Sequence, residues 1–338
     1  MTKEPIILAI ESSCDDTSAA VLKGKKVLSN VIANQTIHKE YGGVVPELAS
    51  RAHQQNIIPV VDSAIKKAKI TKNNIDAIAF TKGPGLLGSL LVGTSFAKSF
   101  SMGMNIPLIQ INHMKAHILS LFIDEGQKTP KFPFLCLTVS GGHTQIVLVN
   151  SINKMEVIGT TLDDAAGEAF DKSAKILGLD YPGGPLIDKF GKEGNIHAFS
   201  FGKPKVSGLN FSFSGLKTSI LYKIRDYVNS NPNFINENLN DLCASIQFSI
   251  VNILIEKIQK AVNKTNIKEI GIAGGVSANS FLRSSLKNIA KKNNYNLYIP
   301  KFEYCTDNAA MIGIAGYFKY LEKDFSSQSE IATARLLF

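Results

Sequence analysis

Two histidines four residues apart, in the run His113-Met114-Lys115-Ala116-His117, are the side chains of this sequence best spaced to do chemistry. They follow an apolar stretch, residues 107–112, that reads as a strand, and they open an apolar-periodic run, residues 118–122, that reads as helix. Residues four apart share one helical face, so both imidazoles can reach one ion. A divalent transition metal is the natural guest of paired neutral imidazoles. Six histidines in 338 residues give such a pair about 0.1 times by chance, which disfavours accident; two surface or internally satisfied histidines are the alternative. Two imidazoles hold a metal weakly, so a third ligand must come from elsewhere in the chain, and Asp307, at the head of a C-terminal helical run, is the best placed.

The same spacing is half of the zinc-protease signature H-E-x-x-H. Where that signature needs Glu as general base the chain has Met114, whose thioether takes up no proton at neutral pH, and the peptidase reading fails there. A second motif, Gly83-Pro84-Gly85-Leu86-Leu87-Gly88, stands between a strand at 76–81 and an apolar helical run through Phe100, with the G-x-G-x-x-G spacing of dinucleotide-binding turns. No acid follows about twenty residues on, in 101–107, to take a ribose hydroxyl. These glycines are expected instead to let helix and strand pack closely beside a ligand.

The elements that must position these residues come in two sets. At 338 residues the chain is long enough for about two domains. Hydrophobic content of 44% with 19% charged residues describes a globular protein, and no apolar run approaches the roughly 18 residues of a membrane helix. Residues 1–5 lack the apolar core and cleavage site of a secretory leader, so the cytoplasm is the expected compartment and no membrane contact is expected. Cys14, Cys136, Cys243 and Cys305 are far apart, which indicates neither a disulfide framework nor a cysteine metal site. A net charge of +9 and a pI near 9.2 suit a polyanion such as RNA, although the lysines are dispersed and a merely lysine-rich surface ranks level.

The first set opens with a strand at 6–10, the polar turn Glu11 to Thr17, strands at 18–22 and 27–32, and a helix from Pro46 to about Lys69. After the polar linker 124–133 the second set begins the same way, with a strand at 134–139, the turn Ser140-Gly141-Gly142-His143, and strands at 144–149 and 155–159. A helix to Leu177 follows, then a rigid loop Tyr181-Pro182-Gly183-Gly184-Pro185, helices ending near Asn229 and spanning 236–265, a strand at 268–273, the loop Gly274 to Asn279 and a helix at 280–293. That last helix start is suited to anions. A strand at 297–300, a helix capped by Thr306-Asp307 and ending near Leu321, and a loosely ordered tail from Lys323 complete the chain. Two β-β-β-α-β-α sets in series predict an α/β chain with the duplicated plan of the actin, hexokinase and Hsp70 superfamily. That plan is the ASKHA, ribonuclease H-like architecture of two lobes, here 1–131 and 132–338, around a central cleft, with the last helix, about 307–321, returning toward the N-terminal lobe.

These motifs, in this order, resemble the bacterial-type tRNA N6-adenosine threonylcarbamoyltransferases, a family formerly described as O-sialoglycoprotein endopeptidases. The likeness runs from Glu11–Thr17 through 41–53, 83–88, 113–117, 139–144, 163–172, 181–188, 211–217 and 274–279 to Asp307. It implies transfer of threonylcarbamoyl from threonylcarbamoyl-AMP to N6 of the adenosine just 3′ of the anticodon in tRNAs that read codons beginning with A. It implies His113, His117 and Asp307 as ligands of one divalent metal ion, Fe(2+) ahead of Zn(2+), although imidazole and carboxylate also suit manganese. It further implies Val139, Ser140, Gly141, Gly142 and His143 at the adenylate or its acyl group, and Asp171, Gly184, Asp188 and Asn279 at ribose and base. Asp16 matches a tip acid and is the candidate base. Thr138 and His143 stand where archaeal and eukaryotic cytosolic members have Tyr and Asn, which points to the bacterial or organellar branch. Bacterial members of that branch work with a catalytically inactive paralogue and a small P-loop ATPase.

The chemistry implied suits the residues. A carbamate–AMP mixed anhydride is already activated, so the protein has to hold donor and amine in line and stabilise charge on carbonyl and phosphate oxygens. Backbone N–H groups of Ser140 to Gly142 can cradle phosphate. Asp171 as a brace of its own helix and Asp188 as a solvated loop acid are the bland alternatives. An ATP-dependent phosphotransferase or ATPase of the same fold is the competing function, with a metallopeptidase third.

Overall fold

The computed structural model describes residues 4–338; the expectation for residues 1–5 therefore falls partly outside the described residues. The chain divides into two compact units, residues 1–129 with 300–338, and residues 130–299.

In the first unit, β1 (Ile6–Glu11), β2 (Thr17–Lys23), β3 (Lys26–Ala33), β4 (Ala77–Gly83) and β5 (Leu108–Asn112) form one sheet in the order β3-β2-β1-β4-β5. The β1–β2 and β2–β3 pairs are antiparallel; β1–β4 and β4–β5 are parallel. Side chains alternate between faces along a strand. Leu8, Ile10, Val21, Ile78 and Phe80 meet Ile57 and Val61 of α1 (Pro46–Lys67) and Ala97 of α2 (Leu87–Met104). Ile7, Leu22 and Ala79, of the other parity, face α9 (Ala309–Leu321). That helix lies very close to the sheet. A Cβ on Gly313 would stand 2.2 Å from Leu22 Cδ1, and one on Gly316 2.6 Å from Ala79 Cβ. A short helix α3 (His113–Leu119) follows β5 and packs on α9.

The second unit repeats this plan. β6 (Phe134–Val139), β7 (Thr144–Val149), β8 (Met155–Thr160), β9 (Glu269–Ala273) and β10 (Asn296–Tyr298) are ordered β10-β9-β6-β7-β8, with the same antiparallel and parallel pairs at equivalent places. The duplication expected from the order of motifs is thus present in topology. Its core joins Leu135, Leu137, Ile146, Ile270 and Ile272 of the sheet to α4 (Ala166–Ile176), α6 (Ser214–Ser230), α7 (Phe234–Thr265), which is kinked at Asn238, and α8 (Ser280–Asn293).

Three local expectations are corrected. Residues 181–185 are a loop only as far as Pro182, which is the N-cap of helix α5 (Gly183–Gly191); Gly183 to Pro185 form its first turn, where the missing N–H of Pro185 costs nothing. The cap of α9 is Asn308, whose side chain accepts from Met311 N at 3.0 Å, rather than Thr306-Asp307. The tail is tied down, not loose. Thr333 N donates to Lys82 O at 2.8 Å, Gly85 N to Ala334 O at 3.1 Å and Asn112 Nδ2 to Leu337 O at 2.9 Å. Lys82 and Glu330 pair at 2.7 Å.

Candidate active site

The first unit brings both histidines and Asp307 to one point. Asn112 ends β5 and caps α3, accepting from Lys115 N at 3.1 Å, so the helix starts with His113. One turn on, His117 lies on the same face, the two rings edge to face with centroids 4.7 Å apart. Because Asn308 performs the capping of α9, the carboxylate of Asp307 is left to face the imidazoles. Its Oδ1 is 3.2 Å from His117 Nε2 and 3.4 Å from His113 Nε2. One donor atom from each of the three residues falls within 4.8 Å of the others. Bonds of about 2.1 Å to a common ion place neighbouring ligand atoms roughly 3.0–3.4 Å apart, so the donor set fits a divalent cation in type and spacing. Both histidines are buried, and His117 Nδ1 has no hydrogen-bond partner among the described residues. Met114, at the position a peptidase needs for its base, is buried as well.

Charge is concentrated around this cluster. Burial lowers the basicity of His113, but the carboxylates of Asp307 and Glu11 outweigh it and hold the imidazole well above its ordinary pKa. Burial likewise pushes Asp307 and Glu11 up, and the facing His113 reverses this, leaving both carboxyls below the usual range. His117 moves the other way, its pKa lowered by burial. Asp16, half-buried at the β1–β2 turn, accepts from Asn34 Nδ2 at 2.9 Å. Burial first, then the neighbouring Asp15, pushes its carboxyl up to about 7.

The second unit gathers the other predicted residues into a ring of contacts. The turn after β6 is closed by Ser140 N donating to His143 O at 2.8 Å and His143 N to Ser140 Oγ at 3.1 Å. Gly141 and Gly142 are exposed, and a Cβ on either would meet nothing within 4 Å. Gly167, in the first turn of α4, donates to Ser140 O at 3.2 Å, while Ala166 N is satisfied by Thr144 Oγ1 at 2.8 Å. From α4, Asp171 Oδ1 accepts from Gly183 N at 2.8 Å and Gly184 N at 3.2 Å, fixing the start of α5. Burial leads in raising the Asp171 carboxyl, with those two N–H groups opposing it. From α5, Asp188 accepts from Ser280 Oγ at 2.8 Å and Ser280 N at 3.2 Å, so it holds the first turn of α8. Asn279 caps that helix by accepting from Leu282 N at 2.8 Å, and gives its own amide N–H to Gln247 at 2.7 Å. The ring closes at Gly274, whose φ of +87° sets it against Val139, 2.4 Å from whose carbonyl a Cβ would fall. An equivalent approach exists in the first unit, where a Cβ on Gly85 would lie 2.3 Å from Ser13 O. There the G-x-G-x-x-G glycines serve close packing.

The sequence profile of the family described as "TsaD: tRNA N6-adenosine threonylcarbamoyltransferase" matches residues 26–314. Proteins of that name from Christiangramia forsetii and Riemerella anatipestifer are 64% and 61% identical over 333 and 334 residues, 98% of each chain in both cases. The chain belongs to this family. Among solved structures, a full-length HypF superposes with a TM-score of 0.61 at 13% identity, covering 95% of this chain and 47% of that one. Component A of the (R)-2-hydroxyglutaryl-CoA dehydratase of Acidaminococcus fermentans gives 0.52 at 15% identity, covering 94% and 99%. These two likenesses speak for the fold alone.

For a TsaD-family chain, the bland alternatives for two acids are now partly decided. Asp171 does brace the adjoining helix start, whereas Asp188 is on a helix and tied to another, so it is not a solvated loop acid. Asp188→Ala is expected to cost about 1–2 kcal/mol by leaving the α8 start without its acceptor. Urea unfolding of the purified variant measures it, and wild-type stability would remove Asp188 from this bracing role. Glu11 and Ser13, each 3.2 Å from His113 Nδ1, and Thr81, which donates to Glu11 Oε2, are residues that motif spacing did not single out. The available signal was a charged residue ending an otherwise apolar strand.

Proposed function

We infer that this chain transfers the threonylcarbamoyl group of threonylcarbamoyl-AMP to N6 of the adenosine just 3′ of the anticodon in tRNAs reading codons that begin with A. The observation that carries this is likeness over 98% of its length to proteins named for the reaction. The residues supply matching parts. His113, His117 and Asp307 hold one divalent ion, Fe(2+) ahead of Zn(2+), and when bound it supplies Lewis acidity and a template for the donor. Within the Ser140 to Gly142 turn, the N–H groups of Gly141 and Gly142 receive phosphate oxygen, because the two glycines leave that backbone open to close approach, while the Ser140 N–H closes the turn on His143 O. Val139 and His143 complete this turn. Asp171 and Asp188 keep acceptor capacity for ribose hydroxyls beyond the bonds they already take, while Gly184 and Asn279 shape the same rim. The positive charge suits tRNA, an inactive paralogue and a small P-loop ATPase are the protein partners, and the cytoplasm is the place of work. No helix among the described residues is long and apolar enough to cross a membrane.

The test is reconstitution. Purified chain, given threonylcarbamoyl-AMP, tRNA and the partner proteins, should form the modified adenosine, detected by nucleoside mass spectrometry. Steady ATP turnover by the chain alone, with no modified tRNA, would replace this reading with the phosphotransferase one.

Asp16 is the proton acceptor in this scheme. A base works only when deprotonated, so the single-turnover rate should rise with pH and level off above about 7. A bound cation nearby shifts that midpoint lower without changing the sign. Asp16→Asn should lose the rising limb and about 10²-fold in rate. An unchanged pH profile in the variant would assign the proton to another group.

A further inference from the structure

We propose that Glu11 is a positioning residue for the metal: it fixes the tautomer and orientation of His113, and its charge completes the neutralisation of a divalent ion. The inference rests on the metal reading above and deepens it.

Glu11 is the last residue of β1 and has no exposed surface. A buried carboxylate costs several kcal/mol unless its charge is answered. Both of its oxygens are held by donors. Ser13 N–H reaches Oε1 at 2.6 Å, and Thr81 Oγ1, from β4, reaches Oε2 at 2.6 Å. The same Oε2 lies 3.2 Å from His113 Nδ1, to which Ser13 Oγ is also 3.2 Å distant. Nδ1 is thus the nitrogen that donates to the Glu11 carboxylate, which leaves Nε2 as the one turned to an incoming ion. Nε2 is the atom that faces Asp307, at 3.4 Å. This is the arrangement by which a carboxylate behind a histidine turns the ring toward a metal and raises its donor strength.

Charge counting leads to the same residue. A divalent ion bound by two neutral imidazoles and Asp307 alone would leave one net positive charge in a buried site. Glu11 cancels it. A role confined to bracing the β1–β2 turn would use Oε1 on Ser13 N–H; it would not need Oε2 aimed at the imidazole.

The experiment is competition for Zn(II) between a chromophoric chelator and the purified full chain, with the Co(II) d–d spectrum as a second readout. Glu11→Gln keeps the shape and removes the charge, and it is expected to weaken Zn(II) binding by about 10–100-fold and to shift the Co(II) bands. His113→Ala serves as the reference without a site. Wild-type affinity and spectrum in Glu11→Gln, with metal lost from His113→Ala, would overturn the proposal and leave the metal centre standing. A lower melting temperature of the metal-free variant with unchanged affinity would reduce Glu11 to a brace of the fold and also overturn it. Unchanged affinity in both variants would overturn the metal centre itself. If Glu11→Gln does not fold, Thr81→Val decides, since it frees Oε2 without touching the charge. It should bind Zn(II) several-fold more weakly, and wild-type affinity there would count against the role.

Discussion

His113→Ala is expected to purify without its divalent ion and to form threonylcarbamoyl-adenosine in tRNA at about one-thousandth of the wild-type rate, with Asp307→Asn close behind. The size follows from the geometry. Three donors within 4.8 Å are few for one ion, and the alanine variant leaves two, of which His117 alone has its pKa lowered by burial. Two ligands do not retain a first-row metal against a cellular chelator pool. Asp307→Asn keeps a carbonyl oxygen at the same place but removes the charge that faces both imidazoles at 3.2 and 3.4 Å. Metal content after dialysis against chelator and single-turnover formation of product should fall together. A variant that loses metal yet keeps its rate would detach the ion from the chemistry. One that keeps metal would show that the three residues are not the ligand set.

Local spacing encodes some of these residues and not others. The His113 and His117 pair is legible because helical spacing is local: an interval of four residues fixes a shared face whatever the rest of the chain does. The repeat of strand, turn, strand, strand was legible for the same reason, and equal pairing patterns in the two sheets follow from it. Asp307 stands at a helix head in the sequence, but the neighbouring Asn308 caps the helix. Being displaced from that duty leaves its carboxylate to face both imidazoles. Glu11 was seen only as part of a polar turn. Its decisive contact, with His113, joins positions 102 apart in sequence, and no local pattern encodes a pair formed by sheet closure.

The misread stretches have equally specific causes. Tyr181 to Pro185 carries two prolines and two glycines, the composition of a loop, yet Pro182 is an N-cap and the first turn of a helix tolerates the other three because its N–H groups have no intrahelical partner. The tail, with its run of Ser and Gln after Phe325, lacks periodicity. It is held by backbone groups of β4 and β5 and by the Lys82–Glu330 pair, none of which leaves a trace in hydropathy.

The glycines of the second unit separate packing from ligand approach, and that separation sets the second large effect. Gly274→Ala is expected to cost the second unit about 3 kcal/mol, since its φ of +87° strains any L side chain and its new methyl carbon would sit 2.4 Å from Val139 O and 2.8 Å from Val139 C. Those are backbone atoms of β6, so neither a rotamer nor a flexible side chain can yield. The loss corresponds to roughly a hundredfold in the folded-to-unfolded ratio and should appear as a lower midpoint in urea. Gly142→Val is expected to do the opposite. A Cβ there meets nothing within 4 Å, so stability should stay within about 0.5 kcal/mol of wild type. Yet a branched side chain over the turn N–H groups keeps a phosphate from reaching them, and kcat/KM for threonylcarbamoyl-AMP should drop about 10³-fold. Urea denaturation and donor kinetics on the same two preparations decide the matter. If Gly142→Val unfolds early, the turn is structural; if it keeps full activity, the phosphate is held elsewhere and the ring around Ser140 loses its assigned ligand.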